Sequence, residues 1–264
     1  MDDMLPPNSA PAIRQRLQAG RIGWWGPLAL TPARTCLILL VQGGVAAGFW
    51  LRRNPSPWRA QAPWWTVYGT LIDAGCLLLL SRQARSEGIR LVDLFGIDRI
   101  RLRREAIWGL ALFLVLFPLV LGGGATLASW LVYGTTLLSP KVLAPGLISA
   151  RHLPPWAAVY SLSVFWLVWS PVEQAIYQAY CAARLEALTG KTWVTVTVVG
   201  LCWALQHSVF PLVPEGRLIV YRFLQFLPFV VIIQLLYLRM RSLPRMIFMQ
   251  WPIDLLAAWL TLSR

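Results

Sequence analysis

Apolar runs long enough to cross a bilayer recur along this chain, and they leave its backbone little choice. Hydrocarbon offers no partner to a backbone N–H or C=O, so a spanning segment must be a helix or part of a closed barrel. A barrel needs short alternating strands, and none is visible. The runs instead approach the roughly 18–25 residues that a spanning helix requires. We place seven spans, at about 35–51, 64–81, 106–132, 155–180, 193–212, 219–238 and 244–262. The expected fold is all-α, a polytopic transmembrane helical bundle at 35–264, preceded by a cytoplasmic tail at 1–34. Composition agrees. Of 264 residues, 57% are hydrophobic and 13% charged, and the mean hydropathy is +0.58. That charged share is about half of what soluble domains carry.

The net charge of +13 would suggest nucleic acid in a soluble protein. Here the excess sits between the spans, where it reads as topology and as contact with anionic lipid, so no nucleic-acid partner is expected. Arg14, Arg16, Arg21 and Arg34 precede the first span, seven arginines lie between Arg82 and Arg104, and Arg184, Lys191, Arg239, Arg241 and Arg245 follow on the same side. The alternate loops are poorer in basic residues, with Arg52, Arg53 and Arg59, then Lys141 and Arg151, then Arg217 and Arg222. The N-terminus is therefore expected in the cytoplasm, as part of an integral protein of a bacterial inner membrane. It lacks the pattern of a cleavable signal. Trp24, Trp25, Trp58, Trp64 and Trp65 flank spans as interfacial belts do. Residues 88–105 are amphipathic and suit the cytoplasmic interface, and 135–155 suits an outer loop. The four cysteines read as small buried apolar residues, not a redox pair.

Against this background, polar residues inside the later spans stand out: Glu173, Gln174 and Gln178, then His207, then Gln250 and Asp254. A charged group at the bilayer centre costs about 2.5–3.5 kcal/mol even on lenient scales, which makes each a functional candidate. Glu173 lies 17 residues before Gly190 and His207 lies 17 residues after it. With Gly190 ending a helix at the turn and a rise of about 1.5 Å per residue, the two side chains reach equal depth on antiparallel helices. Gln174 and Gln178, Trp203 and His207, and Gln250 and Asp254 are each four apart and share a helix face. Pro171 and Pro252 free backbone carbonyls nearby, which favours a wet cavity over a lipid-facing surface. For Gln174, Gln178 and Gln234 the competing reading is interhelical hydrogen bonding. For Asp73 it is pairing with another helix.

These groups suit water activation. Glu173 can act as general base, His207 can hold the same water or protonate a leaving amine, and the Gln250 amide with a protonated Asp254 can donate to a developing oxyanion. Alternatively Glu173, His207 and Asp254 can ligate a divalent metal such as zinc with one position open.

The run Pro171-Val-Glu-Gln-Ala-Ile-Tyr-Gln-Ala179 resembles the EExxxR motif of the CPBP family of CAAX proteases and bacteriocin-processing enzymes, also called Abi. Trp203-Ala-Leu-Gln-His207 resembles its FxxxH motif, and Gln250-Trp-Pro-Ile-Asp254 stands in the place of its HxxxN motif. Leu236–Pro244 is similar to the usual lead-in, so the likeness covers about 155–262. It implies an α-helical intramembrane protease open toward the cytoplasm, with Glu173 activating water, His207 assisting, and the last motif stabilising the oxyanion or joining a metal site. Gln174 replaces the second Glu, Gln178 the Arg, Gln250 the His and Asp254 the Asn. The paired change to Gln174 and Gln178 avoids leaving a buried anion without its cation. The change at Gln250 leaves one imidazole for any zinc site. Besides membrane lipid, the expected partner is a peptide or transmembrane substrate. Two rivals share the fold: a non-catalytic scaffold that binds a transmembrane partner or sequesters a peptide, and a small transporter or lipid-binding protein that uses the same cavity.

Overall fold

The apolar runs form helices. In a computed structural model, which describes residues 5–136 and 153–262, a short helix α1 (Ala10–Gln18) precedes seven long ones. These are α2 (Trp25–Leu51), α3 (Pro57–Ser86), α4 (Leu102–Tyr133), α5 (155–189), α6 (Thr192–Val209), α7 (Gly216–Met240) and α8 (Leu243–Leu262). No strand occurs among the described residues. Four helices, α2, α3, α4 and α7, are long and apolar enough to cross a membrane. The chain is a helical membrane protein. The expected outer loop lies, between 137 and 152, outside the described residues, as do Lys141 and Arg151.

Turn chemistry sets the helix ends. Gly134 and Gly190 close α4 and α5 in the left-handed region, at φ 72° and 64°. Such a cap satisfies orphan carbonyls at no Cβ penalty. Three π-helical turns interrupt the long helices: Phe117–Gly122 in α4, then Ser161–Phe165 and Ala175–Ala182 in α5. The last begins immediately after Glu173 and Gln174. Turns of this kind are rare and concentrate at functional sites.

Helix α5 is the axis of the molecule. Every side chain from Val172 to Leu185 is buried, so this helix meets protein on all sides and can carry polar groups that lipid would reject. Its neighbours include α2, α3, α6 and α8, while α4 lies outside α7 and α8. Two glycines permit the α4 crossings. A Cβ on Gly109 would lie 2.6 Å from the Arg245 carbonyl oxygen, and one on Gly124 2.6 Å from that of Gln225. Close backbone approach at small residues is how membrane helices gain packing contacts.

The residues before α2 are folded onto the bundle. Ile13 and Ile22 pack with Ala183 of α5. The Asn8 amide donates to the Ala179 and Leu94 carbonyls, at 3.2 and 3.3 Å. Arg184, fully buried, makes a bidentate pair with Glu87 at 3.0 and 2.7 Å and donates to Asn8 at 2.6 Å. The first long helix starts at Trp25, not near Thr35. That places Arg34 two turns inside α2, fully buried, so it is no loop residue. Trp65 also departs from expectation. It is buried against Phe165 and Phe210, with ring centroids 4.9 and 5.5 Å away, instead of sitting in a belt.

Ion pairs between helix ends define one face of the bundle. Arg241 pairs with Glu186, Arg245 with Glu105 at 2.8 Å, and Arg184 with Glu87. At the opposite end Tyr133 meets Tyr221 and Trp64 meets Trp156. The bundle thus has an arginine-rich face and an aromatic one.

Candidate active site

Glu173 projects from α5 toward α6 and α8 and is fully buried. One carboxylate oxygen, Oε1, accepts from the Gln206 amide, and His207 Nε2 lies 4.0 Å from that same oxygen. The depth match inferred from the turn at Gly190 thus brings these two side chains together. At that separation a water can accept and donate normal bonds of about 2.8 Å to both groups. The His207 ring stacks on Phe226 of α7, with centroids 4.0 Å apart and planes 8° from parallel. One turn earlier on α6, Trp203 stacks on Tyr177 at 4.9 Å, and its indole nitrogen is buried without a hydrogen-bond partner among the described residues.

Gln250 of α8 ties the other side of the carboxylate. Its Nε2 donates to Glu173 Oε2 and, at 3.2 Å, to Asp254 Oδ2. Its own carbonyl oxygen accepts from Gln174 Nε2 at 2.5 Å. Ser170 donates to the same Asp254 oxygen. Gln174 is therefore an interhelical hydrogen-bonding residue, whereas the buried amides of Gln178 and Gln234 have no such partner among the described residues.

Two sequence expectations change here. An amide nitrogen has two hydrogens, and Gln250 commits both to carboxylates, so it is not a free oxyanion donor. The proposed metal triad of Glu173, His207 and Asp254 is not gathered either: among the described residues no three His, Cys, Asp or Glu side chains are grouped to hold an ion. Gln250 aims N–H groups into the space between Glu173 and Asp254, where a cation would need oxygen lone pairs. The residues present do not fit a metal.

Sequence reasoning missed the cation of this site. Arg34 of α2 bonds Asp73 of α3 at 2.9 Å, lies 3.9 Å from Glu173 Oε1, and stands over the Trp169 ring at 4.0 Å. All three charged groups are buried. Asp73 is thus paired with another helix, and α2 supplies a buried cation close to Glu173. Gln206 was passed over because it adjoins His207 and an adjacent residue faces about 100° away on a helix. Glu173 points between the two. The signals that could have found Arg34 are its setting among apolar residues and the unpaired Asp73.

A cavity of about 340 Å³ opens beside this network. Glu173, Trp203, His207, Gln250 and Asp254 lie along it, and Leu218, Leu260 and Thr261 belong to helix ends on the aromatic face. The cavity therefore extends toward the end of the bundle opposite the arginine-rich face. It exists because α6 stops at Val209, level with the site, and the following backbone folds back into protein. Side chains clasp that irregular stretch. Gln42 donates to the Val209 carbonyl at 2.9 Å and accepts from Leu212 N at 2.6 Å, Gln61 donates to the Leu212 carbonyl at 3.4 Å, and Arg222 donates to the carbonyls of Phe210 and Pro211. Irregular backbone buried in a bundle needs such partners, because its N–H and C=O groups have no helix or sheet ladder to satisfy them.

No known protein family, curated protein or solved structure matches this chain.

Proposed function

We propose that this chain is an intramembrane endopeptidase of the CPBP type, working by glutamate-activated water without a metal. The observation that carries this reading is the Glu173–His207 pair, 4.0 Å apart beside a cavity inside an apolar bundle. Arg34 and the amides of Gln206 and Gln250 hold the carboxylate in one orientation. Two amide bonds use two of its roughly four acceptor sites, which leaves room to bind and deprotonate a water. The water oxygen attacks the peptide carbonyl while its proton passes to Glu173. Glu173 then passes that proton, by way of His207, to the leaving amine as the C–N bond breaks, which returns Glu173 to its carboxylate form. Trp203, one turn from His207 and along the cavity, carries in Nε1 a donor left without a partner among the described residues, and it supports the developing oxyanion.

With the arginine-rich face in the cytoplasm of a bacterial inner membrane, the cavity mouth lies on the far side. The substrate is then a membrane-proximal segment exposed outside the cytoplasm, not one presented from within. This reverses the direction that the family resemblance implied. The test is cleavage of a membrane-embedded reporter in vesicles, comparing wild type with Glu173→Gln and His207→Ala. Loss in both variants at unchanged protein level supports the reading. Unchanged cleavage in either contradicts it.

A non-catalytic, peptide-binding scaffold is the second reading. It is favoured by Gln250, whose hydrogens are spent on carboxylates. It predicts retained partner binding and no cleavage in any variant.

A further inference from the structure

The cavity holds one cation that the mechanism does not use. Arg222 lies on α7 one turn before Phe226, the ring stacked on His207, and both line the cavity. Its guanidinium bonds two backbone carbonyls, of Phe210 and Pro211, and among the described residues it has no ion-pair partner. Holding carbonyls does not require a charge. Gln42 and Gln61 do the same work on Val209 and Leu212 with neutral amides. Carbonyl contacts satisfy N–H groups but supply no counter-ion, so the half-buried guanidinium lines the cavity with its charge unpaired. Arg34 and Arg184, the buried arginines elsewhere in the bundle, each have a carboxylate.

We infer that Arg222 selects a carboxylate in the peptide that occupies this cavity, so that the preferred substrate carries an Asp or Glu beside the bond to be cut. The inference rests on reading the cavity as a peptide site and adds its specificity. Four residues, about 6 Å of helix rise, separate Arg222 from Phe226 along the α7 axis. That is close to the spacing of one or two residues in an extended peptide. Aromatic walls at Trp65, Phe210 and Tyr221 suit apolar neighbours of the acidic residue.

The test measures binding, not turnover. Two short labelled apolar peptides, identical except for a central Glu or Gln, are titrated into purified full-length Glu173→Gln protein in detergent. The Glu peptide should bind about ten- to a hundredfold more tightly, the range of a charge-assisted hydrogen bond. Adding Arg222→Gln, which keeps an amide for the carbonyls, should abolish the preference, and Arg222→Lys should retain part of it. Should Arg222→Gln fail to fold, the Glu-over-Gln comparison with Arg222 intact still decides. Equal binding of the two peptides overturns the selection while leaving the peptide site standing. Displacement of both peptides alike by phosphatidylglycerol overturns it too, since the cation would then serve a lipid phosphate. Binding of neither contradicts both the selection and the reading beneath it.

Discussion

Arg34 and Asp73 form a 2.9 Å ion pair between α2 and α3, and the same guanidinium lies 3.9 Å from Glu173. One buried cation thus anchors a structural carboxylate and the proposed base together. Removing a single member of such a set leaves an uncompensated charge, at a cost of about 3–5 kcal/mol. Arg34→Met and Asp73→Leu should each lower the melting temperature in detergent sharply, and the double variant should melt above Arg34→Met. A double variant less stable than both singles would mean that the pair is not coupled.

Gln250 keeps two carboxylates apart by donating to each. Gln250→Leu removes both bonds and strands the Gln174 amide, which should cost about 1–3 kcal/mol and reduce reporter cleavage. Gln250→Glu should be worse, because it places a third carboxylate against two others. Thermal unfolding ranks the variants, and a Gln250→Glu protein as stable as wild type would contradict the bridging role.

Gly109 sits where α4 crosses α8, with no space for a larger side chain. Gly109→Val forces the helices apart and should destabilise by about 1–3 kcal/mol. Gly123, on the same helix with open space around its α-carbon, provides the control. Gly123→Ala should be neutral or stabilising by up to about 1 kcal/mol. Denaturant titration in micelles separates the two.

The N-terminal helix is fastened through Asn8 and Arg184. Arg184→Met leaves Glu87 buried with only Arg16, at 3.5 Å. The expected result is release of α1, seen as rapid trypsin cleavage at Arg14 and Arg16 while the long helices stay protected. Cleavage at the wild-type rate would show that the apolar contacts of Ile13 suffice alone.

What the sequence revealed follows from how locally each feature is determined. Helix rise is a backbone constant, so equal spacing about Gly190 was enough to bring Glu173 beside His207. The partner of Asp73 was not legible, because counting arginines as loop markers assigned Arg34 to a tail. Gln206 escaped because face arguments credit residues four apart and neglect the neighbour. The π-helical turn at Ala175–Ala182 has no local signature beyond Pro171. The direction of the cavity mouth depends on α6 ending at Val209 and on tertiary clasps by Gln42 and Arg222, which no periodicity encodes.

Glu173 is proposed to deliver a water molecule to a peptide bond inside the bundle. Purified protein in vesicles, given the reporter in water enriched in heavy oxygen, tests it by mass spectrometry of the new C-terminus. Wild-type protein should place one heavy oxygen in that carboxylate, and Glu173→Gln should give no product. A heavy-oxygen product formed equally well by Glu173→Gln, or no product from wild type, would contradict it.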